Sequence, residues 1–229
     1  NMPIARLLSE KEADRLAATI GDKATPSKDV PGLLGGTDTT NFCVVDSKGM
    51  AVALTTTLNT SFGSGVMVSG ILLNNEMDDF ATKPGQPNVF GLVQGKANQI
   101  EPGKRMLSSM SPTIVEDEKG DVLIVVGAQG GPRIITQVWQ AISNVIDFGM
   151  APDAAIGAQR FHHQHLPDDI AFEDETVTRE VDEALRARGH TTVWGKPERI
   201  GGATNIIVRT KTGWAGSSDP RGGGSAMGD

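Results

Sequence analysis

The stretch Thr39-Thr40-Asn41-Phe42-Cys43-Val44-Val45-Asp46-Ser47-Lys48-Gly49-Met50-Ala51-Val52-Ala53-Leu54-Thr55-Thr56-Thr57 decides the architecture. Asn41 to Val45 and Ala51 to Thr57 are β-rich, and the intervening Asp46-Ser47-Lys48-Gly49 carries the residue types of a short turn. Together they predict an antiparallel hairpin. Just upstream, Lys23 to Asp38 holds Pro26, Ser27, Pro31, Gly32, Gly35 and Gly36 with no sustained period, the signature of a linker. The change of character at Thr39 therefore marks a boundary between residues 1–38 and residues 39–229.

Working outward, the hairpin pattern recurs. Thr113 to Glu116 and Val122 to Val126 flank Asp117-Glu118-Lys119-Gly120-Asp121, and the second of these runs is apolar throughout, which predicts a central strand buried on both faces. Thr204 to Arg209 and Trp214 to Ser217 form a third hairpin across Thr210-Lys211-Thr212-Gly213. Helices are predicted at Ser9 to Ile20, opened by the capping pair Ser9 and Glu12, and at Arg133 to Phe148, with Ile134, Ile135, Val138, Ile142, Val145 and Ile146 at helical spacing. A further helix, Thr176 to Arg188, places Val177, Val181, Ala184 and Leu185 inward and leads to a strand at Thr191 to Trp194. Hairpins interrupted by long helices predict a layered α+β protein with antiparallel sheets.

The 229 residues carry a formal charge of −7, which gives no electrostatic reason to expect nucleic acid or an anionic membrane as a partner. The 28 glycines and 12 prolines, against ten aromatics and no Tyr, suit a loop-rich enzyme. The single cysteine, Cys43, excludes an internal disulfide, and its apolar neighbours predict a buried small hydrophobe. The longest apolar run falls far short of the ~20 residues that cross a bilayer. Asn1-Met2-Pro3 leads straight into a polar helical pattern, so the chain is either cytosolic or begins short of its natural start.

P-loop, GxSxG, CxxC and HExxH signatures are all missing, so a nucleophile has to be sought elsewhere. Thr39 sits where linker becomes strand, the place at which a self-cleaving precursor would cut to create a terminal threonine. Such a residue supplies both a hydroxyl that attacks and an α-amine that acts as its base. Spacing alone leaves a second possibility open: Thr39 and Thr40 as two β-formers opening a strand. His162, His163 and His165 invite a metal, but no acidic partner stands at ligand spacing. His162 and His163 are expected to pack and hydrogen-bond near the sheet, His165 to have no site role, and no metal or cofactor is expected.

Further motifs extend the pattern: Thr57-Leu58-Asn59-Thr60-Ser61-Phe62-Gly63, Gly70 to Phe80, Arg105 to Thr113, Gly130-Gly131, Arg160-Phe161-His162-His163-Gln164 and Ser218-Asp219-Pro220-Arg221. In order and spacing, with the Thr39 segment, they resemble the gamma-glutamyltranspeptidase family over nearly the whole chain. The resemblance implies an N-terminal-nucleophile hydrolase fold, a four-layer αββα sandwich that is incomplete here without the large subunit. It makes residues 1–38 the end of that large subunit with its linker, and residues 39–229 the small, catalytic subunit of a self-cleaving precursor. By the same resemblance Thr39 is the nucleophile, Thr57 orients it, and Gly130 and Gly131 donate N–H groups to an oxyanion. Asn59, Glu76 and Asp79 grip the substrate's α-amino group, and Ser108 and Ser109 its α-carboxylate, which an arginine of the large subunit also meets. Substrates would be glutathione and other gamma-glutamyl compounds, with water, amino acids or peptides as acceptors, in the periplasm or outside the cell.

Two other readings stand beside this one. A glutaryl-removing cephalosporin acylase of the same superfamily is disfavoured by Asp79, since glutaryl has no α-amine; the other is a non-catalytic, unprocessed fragment. The sequence also departs from the family at Phe90, where many bacterial members carry Tyr in a lid segment, and it places Asp38 before the scissile bond.

Overall fold

A computed structural model describes residues 4–7, 9–18, 21, 23, 39–88, 92–173, 177–195 and 200–228. In chain order the elements are α1 (Ile4–Leu7), α2 (Glu10–Ala17), β1 (Thr39–Val45), β2 (Ala51–Thr57), β3 (Met67–Val68), β4 (Ile71–Leu72), β5 (Thr113–Glu116), β6 (Val122–Gln129), α3 (Arg133–Ile146), α4 (Pro152–Gly157), β7 (Phe161–His162), β8 (Ile170–Phe172), α5 (Arg179–Ala187), β9 (Thr192–Trp194), β10 (Ala203–Thr210) and β11 (Gly213–Ser218). The Phe90 and Asp38 departures, and most of the linker, lie outside the described residues.

The first two predicted hairpins turn the same way for the same reason. Asp46 Oδ1 accepts from the Lys48 and Met50 amides, each at 2.8 Å, and Asp117 Oδ1 accepts from Lys119 at 2.9 Å and Asp121 at 3.0 Å. In each turn a glycine, Gly49 or Gly120, takes the positive φ that a side chain would resist.

β5, β6, β10 and β11 form one antiparallel sheet in the order β11-β10-β6-β5, so β6 is interior as its apolar run predicts. One face of β6, with Ile124, Val126 and Ala128, packs under Ile134, Val138 and Ala141 of α3 and Ile156 of α4. Its other face receives the β1–β2 hairpin. Gly127 makes this close approach possible, because a Cβ there would run into the Asn41 side chain. Asn205 of β10 ties the layers further, donating from Nδ2 to Asn41 O at 3.0 Å and to Asn41 Oδ1 at 2.5 Å. The half-buried Cys43 donates its thiol to Asn205 O at 3.6 Å, and burial pushes that thiol up to about 11.

The result is an α+β stack of hairpin, sheet and helices. Three layers of the αββα order are present among the described residues, and over the outer face of the hairpin Phe42, Val44, Val52 and Leu54 are exposed. A separate three-stranded sheet, β7-β8-β9, carries a ring ladder from Trp139 through Phe161 and Phe172 to Trp194. The inward face predicted for the last helix is corrected: Val181 of α5 is exposed and Leu185 only half-buried. Polar contacts hold α5 instead, with Thr192 Oγ1 donating to Asp182 at 2.5 Å and Arg186 pairing with Asp182 at 2.9 Å.

Candidate active site

Antiparallel pairing places Thr39 directly opposite Thr57, the first residue of β1 against the last of β2. Cross-strand partners share a face, so both side chains belong to the half-buried side of the hairpin while Thr40 points outward. Thr39 and Thr57 line a cavity of about 790 Å³ with Thr60, Gly130, Arg133 and Gly202. Thr57 Oγ1 accepts from the Asn59 amide at 2.8 Å.

Gly130 and Gly131 fill the junction between β6 and α3 in two positive-φ conformations, +132° and +61°. A Cβ on Gly130 would come within 2.9 Å of both Gln137 Nε2 and Gly201 O, so no other residue fits. Their carbonyls accept from the first amides of α3, Arg133 N at 3.3 Å and Ile134 N at 3.1 Å. The turn and the helix start are one structure, which sets backbone at the positive end of α3 beside the cavity.

The other expected residues are reached from Thr57 along a line of hydrogen bonds. Asn59, buried and at φ +74°, donates from Nδ2 to Asn75 O at 3.3 Å. Asn75 opens the 3-10 turn Glu76–Asp79, and its own side chain accepts from Thr60 N at 3.2 Å and donates to Asp78 at 2.9 Å. One 3-10 turn eclipses residues i and i+3, so Glu76 and Asp79 stand side by side.

Their carboxyls hydrogen-bond to each other, and the remaining oxygens, Glu76 Oε1 and Asp79 Oδ1, are buried without a hydrogen-bond partner. Burial first, then the neighbouring Glu76 and Asp78, pushes Asp79 up to about 7; burial also raises Glu76, against the bond from Asp79. A buried and a half-buried carboxyl, each with an oxygen to spare, are a ready receptor for a cation. Asn98 connects Asp79 to Leu107 and so to Ser108, which is exposed, and Ser109, which is buried.

Arg160 and Asp219, noted in the sequence without a role, are two ends of one buried ion network. The Arg160 guanidinium pairs with Glu173 at 3.1 Å and Asp219 at 3.5 Å, and it donates to Gln137 Oε1 at 2.9 Å and to Gly202 O at 3.3 Å. Arg221 pairs with the same two carboxylates at 2.8 and 3.1 Å. The network fixes Gly202 and Gln137, hence the cavity wall opposite the hairpin. The pair Gly201-Gly202 was visible in the sequence, but nothing in its spacing linked it to Thr39.

His162 is buried between Thr136 Oγ1 at 2.8 Å and Gln164 Oε1 at 2.9 Å, and His163 faces Asp168 at 3.3 Å. Among the described residues no group of three or more His, Cys, Asp or Glu is placed to hold a metal.

A family model described as gamma-glutamyltranspeptidase matches residues 1–229. The chain belongs to that family. A "Glutathione hydrolase proenzyme" of Escherichia coli is 45% identical over 227 residues, covering 96% of this chain and 38% of that protein. This chain thus spans well under half the length of that relative. A Helicobacter pylori gamma-glutamyltranspeptidase mutant superposes with a TM-score of 0.74 at 48% identity, covering 80% of this chain and 100% of the matched one. The cephalosporin acylase of Bacillus halodurans, at 27% identity, gives a TM-score of 0.77 over 96% of this chain and 38% of its own. The fold is of the N-terminal-nucleophile hydrolase type, and identity places the chain nearer the transpeptidases than the acylase.

Proposed function

We propose that this chain is the catalytic part of an enzyme that breaks gamma-glutamyl amides such as glutathione and passes the acyl group to water, an amino acid or a peptide. The observation that carries the reading is Thr39 set opposite Thr57 on a cavity walled by Gly130. Maturation attacks the Asp38 carbonyl with the Thr39 hydroxyl, shifts the acyl group from nitrogen to oxygen, and hydrolyses the ester to free an α-amine. In turnover that amine takes the hydroxyl proton as Oγ bonds to the substrate's γ-carbonyl carbon. The proton then goes to the departing amine as the C–N bond breaks. Water or an acceptor amine resolves the gamma-glutamyl ester.

Amides of Gly130 and Gly131 stabilise the oxyanion, a contribution of ~3–4 kcal/mol per donor in such sites. Asn59, Glu76 and Asp79 hold the α-ammonium, and Ser108 and Ser109 the α-carboxylate. Glutaryl substrates lack the ammonium that the acidic pair is built to neutralise. The partner is the large subunit of the same precursor, packed on Phe42, Val44, Val52 and Leu54.

Thr39→Ala in the complete precursor tests the reading. Mass spectrometry is expected to find the bond before residue 39 intact, and a gamma-glutamyl anilide to go unhydrolysed, whereas Thr40→Ala matures and turns over. The reverse pattern would overturn the assignment.

A further inference from the structure

Resting on the amino-acid site described above, we infer that Asn98 is a positioning residue that sets the distance between the ammonium-binding carboxyls and the carboxylate-binding hydroxyls. The α-amino and α-carboxylate groups of a gamma-glutamyl donor are bound to one carbon. A site that reads both must hold its two sets of ligands at a fixed spacing. Here the two sets are some thirty residues apart along the chain, at Glu76–Asp79 and Ser108–Ser109, and the second lies on irregular backbone with no sheet or helix to register it.

Asn98 spans the gap. It ends the 3-10 turn Lys96–Asn98 and is 7% exposed. Its Nδ2 donates to Asp79 O at 2.6 Å and to Gln94 Oε1, and its Oδ1 accepts from Leu107 N at 2.9 Å. Asp79 O can only accept and Leu107 N can only donate, so the amide has one permitted orientation. The Asn98 carbonyl also accepts from Ala81 N at 2.9 Å, two residues beyond Asp79. A single buried side chain therefore grips the residue that carries the acidic ligand and the residue before the serine pair. A displacement of ~1 Å at either end is enough to lower rate or affinity ~100-fold in a site of this kind.

The two ends of the amide can be cut separately in the complete two-subunit enzyme. Asn98→Asp keeps an oxygen for Leu107 N and loses the donor to Asp79 O; Asn98→Ala loses both. Three anilides read the outcome: gamma-glutamyl, glutaryl (no amine) and 4-aminobutyryl (no α-carboxylate). Asn98→Ala is expected to raise KM for the gamma-glutamyl anilide about tenfold with kcat little changed, and to erode discrimination against both analogues. Asn98→Asp is expected to erode discrimination against glutaryl and to retain it against 4-aminobutyryl.

A role confined to folding would instead lower the yield of mature enzyme and leave KM of the mature fraction unchanged. That result overturns the inference, as does equal loss of both discriminations in Asn98→Asp. Should Asn98→Ala fail to mature, the isosteric Asn98→Asp carries the test alone. Asp79→Ala on the same substrates separates the two levels of argument. If Asp79→Ala leaves KM unchanged, the amino-acid site and the role of Asn98 fall together. If it raises KM and the Asn98 variants do not, only the role of Asn98 falls.

Discussion

The four-stranded sheet and the β1–β2 hairpin lie face to face, and they differ in what covers their other sides. β6 has α3 and α4 above it and the hairpin below, and Val125, Val126 and Ala128 are wholly buried. The hairpin has β6 and β10 on one side, while Phe42 and Val44 on the other are nearly half exposed, at 45% and 48%. Asn41 Nδ2, Thr55 Oγ1, Glu76 Oε1 and Asp79 Oδ1 are buried without hydrogen-bond partners, and all belong to the hairpin or to the arm that follows it. The closed side of the molecule is packed on both faces, and the hairpin leaves one apolar face uncovered.

If the closed side is the rigid base, cutting its ion network should be the most damaging change to stability. Arg160→Ala leaves Asp219 and Glu173 buried with one cation between them, a loss of about 3–5 kcal/mol for a broken buried pair. Arg221 still meets both carboxylates and holds the effect toward the lower end. Arg209→Ala breaks a shorter contact, 2.6 Å to Asp117, but both side chains are about one-third exposed, and the loss should be much the smaller of the two. Denaturant unfolding of the two variants checks the ranking. Equal losses would mean that burial does not decide what an ion pair contributes within this base.

The closed side is also where the sequence was most legible. The apolar run at Val122, the 3.6-residue period of α3 and the turn Asp117-Glu118-Lys119-Gly120 are local patterns, and each forms as read. Thr39 and Gly130 were marked as site residues by the resemblance of their motifs to the family, since a strand start and a turn glycine each have an ordinary structural reading as well. The expected inward face of α5 failed because Arg179–Glu183 and Arg186–Asp182 pairs with Thr192 anchor it without a buried stripe. Asn98 and Gln137 gave no signal. Each acts through one side chain on backbone far away in sequence, and a single amide in a loop has no periodicity to betray it.

A second, smaller effect probes the open side by pH. The Asp79 carboxyl, ordinarily near 3.8, is pushed up to about 7 in the folded chain by burial and by the carboxyls of Glu76 and Asp78. Below pH ~4 it is protonated folded and unfolded alike. Between pH ~4 and ~7 the unfolded state ionises while the folded state keeps its proton, so the native protein loses stability as pH rises through that window. Asp79→Asn cannot ionise and escapes the loss. It should match the native chain at pH 4 and exceed it above pH 7 by about 1 kcal/mol, well short of what the full shift would give, because solvent reaches the site. A constant difference between the two chains across this range would mean that the carboxyl is not held protonated.

The smallest expected effect is the one that decides whether the open face is open in the working enzyme. Val44→Thr keeps β-branching, shape and strand propensity, and adds only a hydroxyl on the outer face of β1. Facing water, that hydroxyl is hydrated, and unfolding of the 229-residue chain should change by no more than ~0.5 kcal/mol. Under a packed large subunit the same hydroxyl is desolvated among apolar groups with nothing to bond, which costs about 1–3 kcal/mol in protein interiors. The variant should therefore be silent in this chain alone and weaken the complete precursor, read as a lower midpoint of unfolding or a slower appearance of the Thr39 terminus. The gap between the two contexts measures the covering layer directly, since nothing else about the substitution differs. If Val44→Thr is equally silent in both, the hairpin faces solvent in the assembled protein too, and the partner must dock elsewhere.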